Sequence, residues 1–251
     1  MVRRPSILVP FLSLILLAAT AQGQDFPALC EGTAIVTGTR EDTRAEGLAH
    51  ALRDVLVKRS GDPGLLHDPR VDPFAANAAE MVDDYLYLDR MSDQPRHDEQ
   101  GTRDRPYNLL ARFSPAKVDA ALEQLGDTPW LTARPKLLVR ILITDSRKSS
   151  FPLTADGDND ERHRQALLAA ASRYGMYVVL EPLGKTLPMA DALVVSGTLR
   201  WSNADPGWAG DWRAESKAWG VNGVSFDEAY RDLVQGAMAI ASRHTLPTKG
   251  N

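Results

Sequence analysis

The chain of 251 residues holds one cysteine, Cys30, so no internal disulfide can staple it. Cys30 therefore reads as a small buried residue at the start of a strand. Long apolar runs are missing too. The Ile7 to Leu17 stretch spans eleven residues and is broken by Pro10 and Ser13, whereas a spanning helix needs roughly 20. No excess of one charge sign exists: 29 basic residues face 33 acidic ones, a net charge of −4. That balance leaves no electrostatic footprint for nucleic acid. Gly-x-Ser-x-Gly, Gly-x-Gly-x-x-Gly, a phosphate loop and His-Glu-x-x-His are all missing.

The apolar stretch that is present looks like the core of a secretory signal over residues 1–21. Arg3 and Arg4 supply the positive n-region, and Ala19-Thr20-Ala21 offers the small residues a signal peptidase reads. Cys30 comes too late for a lipoprotein. The expectation is cleaved export, a periplasmic location and no stable membrane insertion. Loss of Arg3 and Arg4 leaves 27 positive against 33 negative residues, a charge of −6.

After residue 24 the patterning is that of a mixed α+β protein in two small units. The first, residues 25–126, reads β-α-α-β-β-α. Glu31 to Thr39 is a strand. Thr43-Arg44-Ala45-Glu46 matches a capping box. Ala45, Leu48, Leu52, Val55 and Leu56 follow at helical spacing, and Gly61 closes the helix. Asp72-Pro73 opens a second helix, and Tyr85–Met91 and Tyr107–Phe113 are strands. The intervening 92–106 segment holds seven charged residues and two prolines, as a hairpin loop does. Ser114-Pro115 caps a third helix, and Gly126 ends it. Residues 127–135 form a connector, stiffened by Pro129 and Pro135, with Trp130 packed into the junction.

The second unit, residues 136–245, reads β-α-β-β-β-α. Its elements are the strand Lys136–Ile143, a polar loop over 144–159, a helix from Glu161 to Tyr174 and a strand over Met176–Leu180. Two more strands, Ala190–Trp201 and Trp212–Trp219, make a hairpin. Ser225-Phe226-Asp227-Glu228 is a second capping box that opens the last helix. Residues 246–251 are a disordered tail.

In order, these pieces resemble a bacterial envelope family, Domain of Unknown Function 2066. The matching features are Ala51 to Val57 running into Ser60-Gly61, Tyr85-Leu86-Tyr87, Leu110 to Phe113, Pro129-Trp130, Arg134-Pro135, Ala170 to Gly175 and Ala190 to Gly197. More distantly, the first unit resembles N-terminal modules of flagellar T-ring proteins. The second resembles the N-terminal domain of the Tol-system periplasmic protein. These resemblances imply docking or assembly and carry no active site.

The motifs with chemistry fall short. Ser114-Pro115-Ala116-Lys117 matches Ser-x-x-Lys, yet Lys185-Thr186-Leu187 lacks the needed glycine and no Ser-Asp-Asn occurs. In the acidic run from Asp156, a calcium loop would require Gly at the sixth position and Glu at the twelfth, where Glu161 and Leu167 stand. The five histidines show no zinc spacing and read as surface or helix-face residues. No catalytic residue, metal ligand or cofactor is assigned.

Four tryptophans, Trp201, Trp208, Trp212 and Trp219, fall within 19 residues. Trp208, with Trp201 and Trp212 beside it, is the candidate partner-binding set, since an aromatic on a 202–211 loop can anchor a partner. The reading is a non-enzymatic envelope module that binds another protein. The alternative is an enzyme or small-ligand binder with its site in the groove between the units.

Overall fold

In a computed structural model, strand β1 (Glu31–Thr37) runs straight into helix α1 (Glu41–Ser60), and both are set by local pattern. The structure describes residues 29–93, 104–158, 160–188, 191–204 and 206–245. The expected signal over residues 1–21, most of the 92–106 segment and residues 246–251 lie outside those residues. α1 carries Glu41 and Asp42 in its first turn and Lys58 and Arg59 in its last, which complements the helix dipole. Leu48, Ala51, Leu52, Val55 and Leu56 form its buried face. Thr43 is not the cap. The helix starts at Glu41, and the Thr43 hydroxyl donates back to the Arg40 carbonyl at 3.1 Å.

α1 lies directly on the sheet because two glycines let it. A Cβ on Gly47 would sit 2.5 Å from Val36, and one on Gly32 would sit 2.6 Å from the Ala51 carbonyl. Helix α2 (Asp72–Ala76) is one turn followed by 3-10 turns, shorter than the sequence pattern suggests. Strands β2 (Val82–Asp89) and β3 (Pro106–Phe113) complete an antiparallel sheet in the order β1-β3-β2. Helix α3 (Pro115–Gln124) follows with Pro115 in its first turn, but the Ser114 side chain makes no capping bond.

Residues 127–135 then link the two sheets along the surface, with Asp127, Trp130 and Arg134 turned inward. Trp130 is fully buried. Its N–H donates to the Arg59 carbonyl at 2.7 Å, and its ring fills the space beside Gly61, whose φ of 75° closes α1.

The second sheet is built on β4 (Lys136–Thr144), which pairs in parallel with β7 (Ala192–Ser202) over nine residues. The short strands β5 (Ser150–Pro152) and β6 (Tyr177–Val179) share the other edge of β4. β8 (Gly207–Ala214) and β9 (Lys217–Val224) extend the sheet as an antiparallel meander. Trp212 and Trp219 are thus not the ends of one strand: the chain turns back at Glu215, whose φ is 51°. Helices α4 (Glu161–Arg173) and α5 (Phe226–Thr245) cover one face. The Ser225–Glu228 capping box forms, with the Glu228 N–H donating to the Ser225 hydroxyl at 3.3 Å. The fold is mixed α+β as the sequence implies, with β5 and the β8–β9 turn added. One continuous hydrophobic core runs from α1 through Trp130 to α5.

Candidate functional site

One buried cation, Arg134, ties the halves together, and a second, Lys58, lies beside it. Arg134 stacks on Trp130, with 4.3 Å between the guanidinium carbon and the ring centre. Among the described residues no carboxylate pairs with it. Its nitrogens donate to the carbonyls of Lys58, at the end of α1, and of Tyr174 and Gly175, at the end of α4, the latter two at 3.1 Å. Unpaired carbonyls at two helix C-termini supply the negative potential a counter-ion would. Burial, with Arg59 nearby, pushes Arg134 down to about 10, so it stays charged at neutral pH. Lys58 donates to the Glu31 carbonyl at 2.6 Å, and burial pushes it down to about 8 against the pull of Asp54.

Beside this closed junction the halves part into a groove. α1 contributes His50 and Asp54, whose four-residue spacing puts them on one flank. α4 contributes Arg173 from its last turn, and α5 contributes Arg231, Asp232 and Gln235. Two lobes of about 530 and 500 Å³ share His50, Asp54, Arg173 and Arg231. Asp54 is 3% exposed. Its oxygens lie 2.9 and 2.8 Å from one Arg173 nitrogen. Burial raises the Asp54 carboxyl and the Arg173 charge opposes it. One lobe is floored by Thr33 and Ile35 of β1 and walled by Ala166, Ala169 and Ala170 of α4.

The tryptophans behave differently from their sequence reading. Trp208 is not on a loop tip. It lies in β8, paired with Trp201 across the ladder, and the connecting turn is only residues 203–206. The two rings meet edge to face at 5.7 Å, and Trp208 packs on Phe226 at 5.6 Å. Trp212 drops out of the partner-binding set. It is 2% exposed, sits over Gly197 and Gly210, and donates to Asp232 at 2.9 Å. Trp201 and Trp208 remain half-buried. Behind them His163 is buried, with Nδ1 and the Tyr230 hydroxyl 2.7 Å apart.

The acidic run is spent on local structure. Asp160 is buried and accepts from the Thr154 N–H at 2.7 Å, and Asp156 accepts from the Leu183 N–H at 2.7 Å. Among the described residues no group of three or more His, Cys, Asp or Glu side chains could hold a metal ion. Ser114 and Lys117 are not a dyad: Lys117 donates to the Glu80 carbonyl at 2.5 Å.

Sequence reasoning missed one surface. On β1 and β2 the alternation should place polar residues outward. Instead Ile35, Leu86 and Leu88 point to solvent and are 62, 47 and 50% exposed. Register aligns them across β3: Ile35 with Asn108 and Leu88, and Thr33 with Leu110 and Leu86.

Residues 24–131 match DUF8605, a domain of unknown function. The matched segment is the first sheet, its helices and the connector through Trp130. This match overturns the resemblance to Domain of Unknown Function 2066. The pieces that suggested the latter are a helix's buried face, a left-handed cap, a buried Trp and an Arg at two helix ends. Many α+β junctions need such pieces, so they discriminate poorly between families. No curated protein matches the chain. A crystal structure described as that of an uncharacterized protein is similar at 14% identity, over 46% of this chain and 93% of that one, with a TM-score of 0.20. A TM-score that low carries no argument about fold.

Proposed function

We propose that this chain is an exported binding or assembly module of the bacterial cell envelope, working in the periplasm after loss of residues 1–21. Export is supported by the n-region, apolar core and small residues before Gln22. Among the described residues no helix is long and apolar enough to cross a membrane.

Binding is supported above all by the outward apolar side chains Ile35, Leu86 and Leu88 on the DUF8605-matching sheet. Large apolar side chains gathered on the open face of a sheet mark an interaction surface. A photo-cross-linking residue at Leu88 in intact cells tests this. It should trap one defined envelope protein, and Leu86→Glu with a cross-linker at Ile35 should abolish the band. The fold should tolerate Leu86→Glu within about 0.5 kcal/mol, as exposed sites do. No band from either position would sink the proposal. Trp208→Ala is a poorer test, because that ring also packs on His163 and Phe226.

A further inference from the structure

We infer that the groove between the halves receives an extended peptide carrying a carboxylate, added as a strand to the free edge of β1. This goes beyond the outer-face reading and uses the neighbouring edge of the same sheet, the two surfaces meeting at Ile35.

The ladder between β1 and β3 fixes which backbone groups are spare. The Phe113 N–H donates to the Cys30 carbonyl and the Gly38 N–H to the Arg105 carbonyl. With Glu31 opposite Arg112, the even-numbered residues of β1 bond to β3. The odd-numbered residues 31, 33, 35 and 37 therefore direct N–H and C=O away from β3. Lys58 confirms this parity, since it donates to the carbonyl of Glu31. Among the described residues no strand pairs with Thr33, Ile35 or Thr37 on that side. Edges left open in natural sheets are normally blunted by charge, proline or a cover. Thr33 to Thr37 has neither charge nor proline.

The open edge lies along the groove. Thr33, Ile35 and Asn108 from the outer face line the same lobe as His50 and Asp54 of α1, which packs on the inner face. The opposite wall, Ala166, Ala169 and Ala170, is small enough to leave space for one backbone, and about 530 Å³ suits a few residues. The lobe's two arginines face two carboxylates, Asp54 and Asp227, and the arginine outside any ion pair sets the charge of the occupant. Arg173 spends one nitrogen on Asp54, and its side chain is 42% exposed. Arg231 has no hydrogen bond or ion pair with the described residues and lines the same lobe, opposed by Asp227. Strand addition gains affinity from main-chain hydrogen bonds, and Arg231 supplies a carboxylate seat.

The probe is acetyl-Val-Thr-Val-Asp, titrated into the mature chain with amide hydrogen exchange as the readout. The Thr33 and Ile35 amides should gain protection, while Gly32 and Ala34, already in the ladder, should not change. Two analogues, N-methylated on alternate amides, should split: one set loses about 10-fold in affinity through its missing hydrogen bonds, and the other changes little. Arg231→Ala should weaken the probe several-fold, and Leu86→Glu should leave it unchanged. Equal losses for both analogues, absence of binding at 5 mM, or loss with Leu86→Glu would overturn strand addition at this edge. Protection of Thr33 and Ile35 by self-association without probe would overturn it too, in favour of a second copy. None of these failures touches the cross-linking result at Leu88, so the two readings fail separately.

Discussion

His163 makes the stability of this protein fall with acid in a way that one substitution should remove. The imidazole sits on the inward face of α4 among Phe151, Trp208, Phe226 and Tyr230. Burial pushes it down from 6.5 to about 4, with Asp160 pulling weakly the other way. The native state thus refuses a proton that the unfolded chain accepts below pH 6.5. Stability is full above that pH and declines as pH falls toward 4, by about 1.4 kcal/mol per pH step. At pH 4 the unfolded chain holds the proton and the native state holds it half the time, so the loss amounts to about 3 kcal/mol.

His163→Phe keeps an aromatic in the cluster but leaves the Tyr230 hydroxyl without its partner, a cost of about 1–3 kcal/mol at every pH. Denaturant unfolding from pH 7.5 to 4 should therefore give curves that cross. The natural protein is more stable near pH 7.5, and the variant is equal or better near pH 4. Carboxylates elsewhere titrate in both proteins and cancel in the difference. Parallel curves, or a His163 ring resonance that titrates near 6.5, would refute the reasoning.

The junction makes two further predictions. Trp130→Ala removes a fully buried ring packed on Gly61 and under Arg134, and should cost about 3–5 kcal/mol; thermal unfolding of the mature chain measures it, and a loss below 1 kcal/mol would show the junction can collapse. Arg134→Met leaves three carbonyls at two helix ends without their donor, and should cost about 2–4 kcal/mol despite the relief of burying no charge. An unchanged denaturation midpoint would mean water replaces the guanidinium.

Much of the element order was legible because it is written locally. The 3.6-residue spacing of Leu48, Leu52 and Val55, the Gly61 cap and the Ser225–Glu228 box each act within a few residues. Cap chemistry was readable only where nothing competed. Thr43 offered a capping box, but Glu41 and Asp42 extend the helix ahead of it. Pro115 marks the start of α3 without help from Ser114. Trp208 read as a loop residue because Asn, Asp, Pro and Gly surround it; pairing with Trp201 made it a strand residue.

By itself, the sequence settled the α+β class and most helices and strands, since these depend on spacing of two to four residues. Tertiary structure alone decided what faces what. The connector at 127–135 turns Arg134 inward to join the end of α1 to the end of α4, and so sets Asp54 against Arg173, 119 residues away. It also decided that Trp212 is core and that Ile35, Leu86 and Leu88 meet solvent. Strand parity places a side chain on one face or the other, but only the packing of α1 on one side of the sheet decides which face is left open.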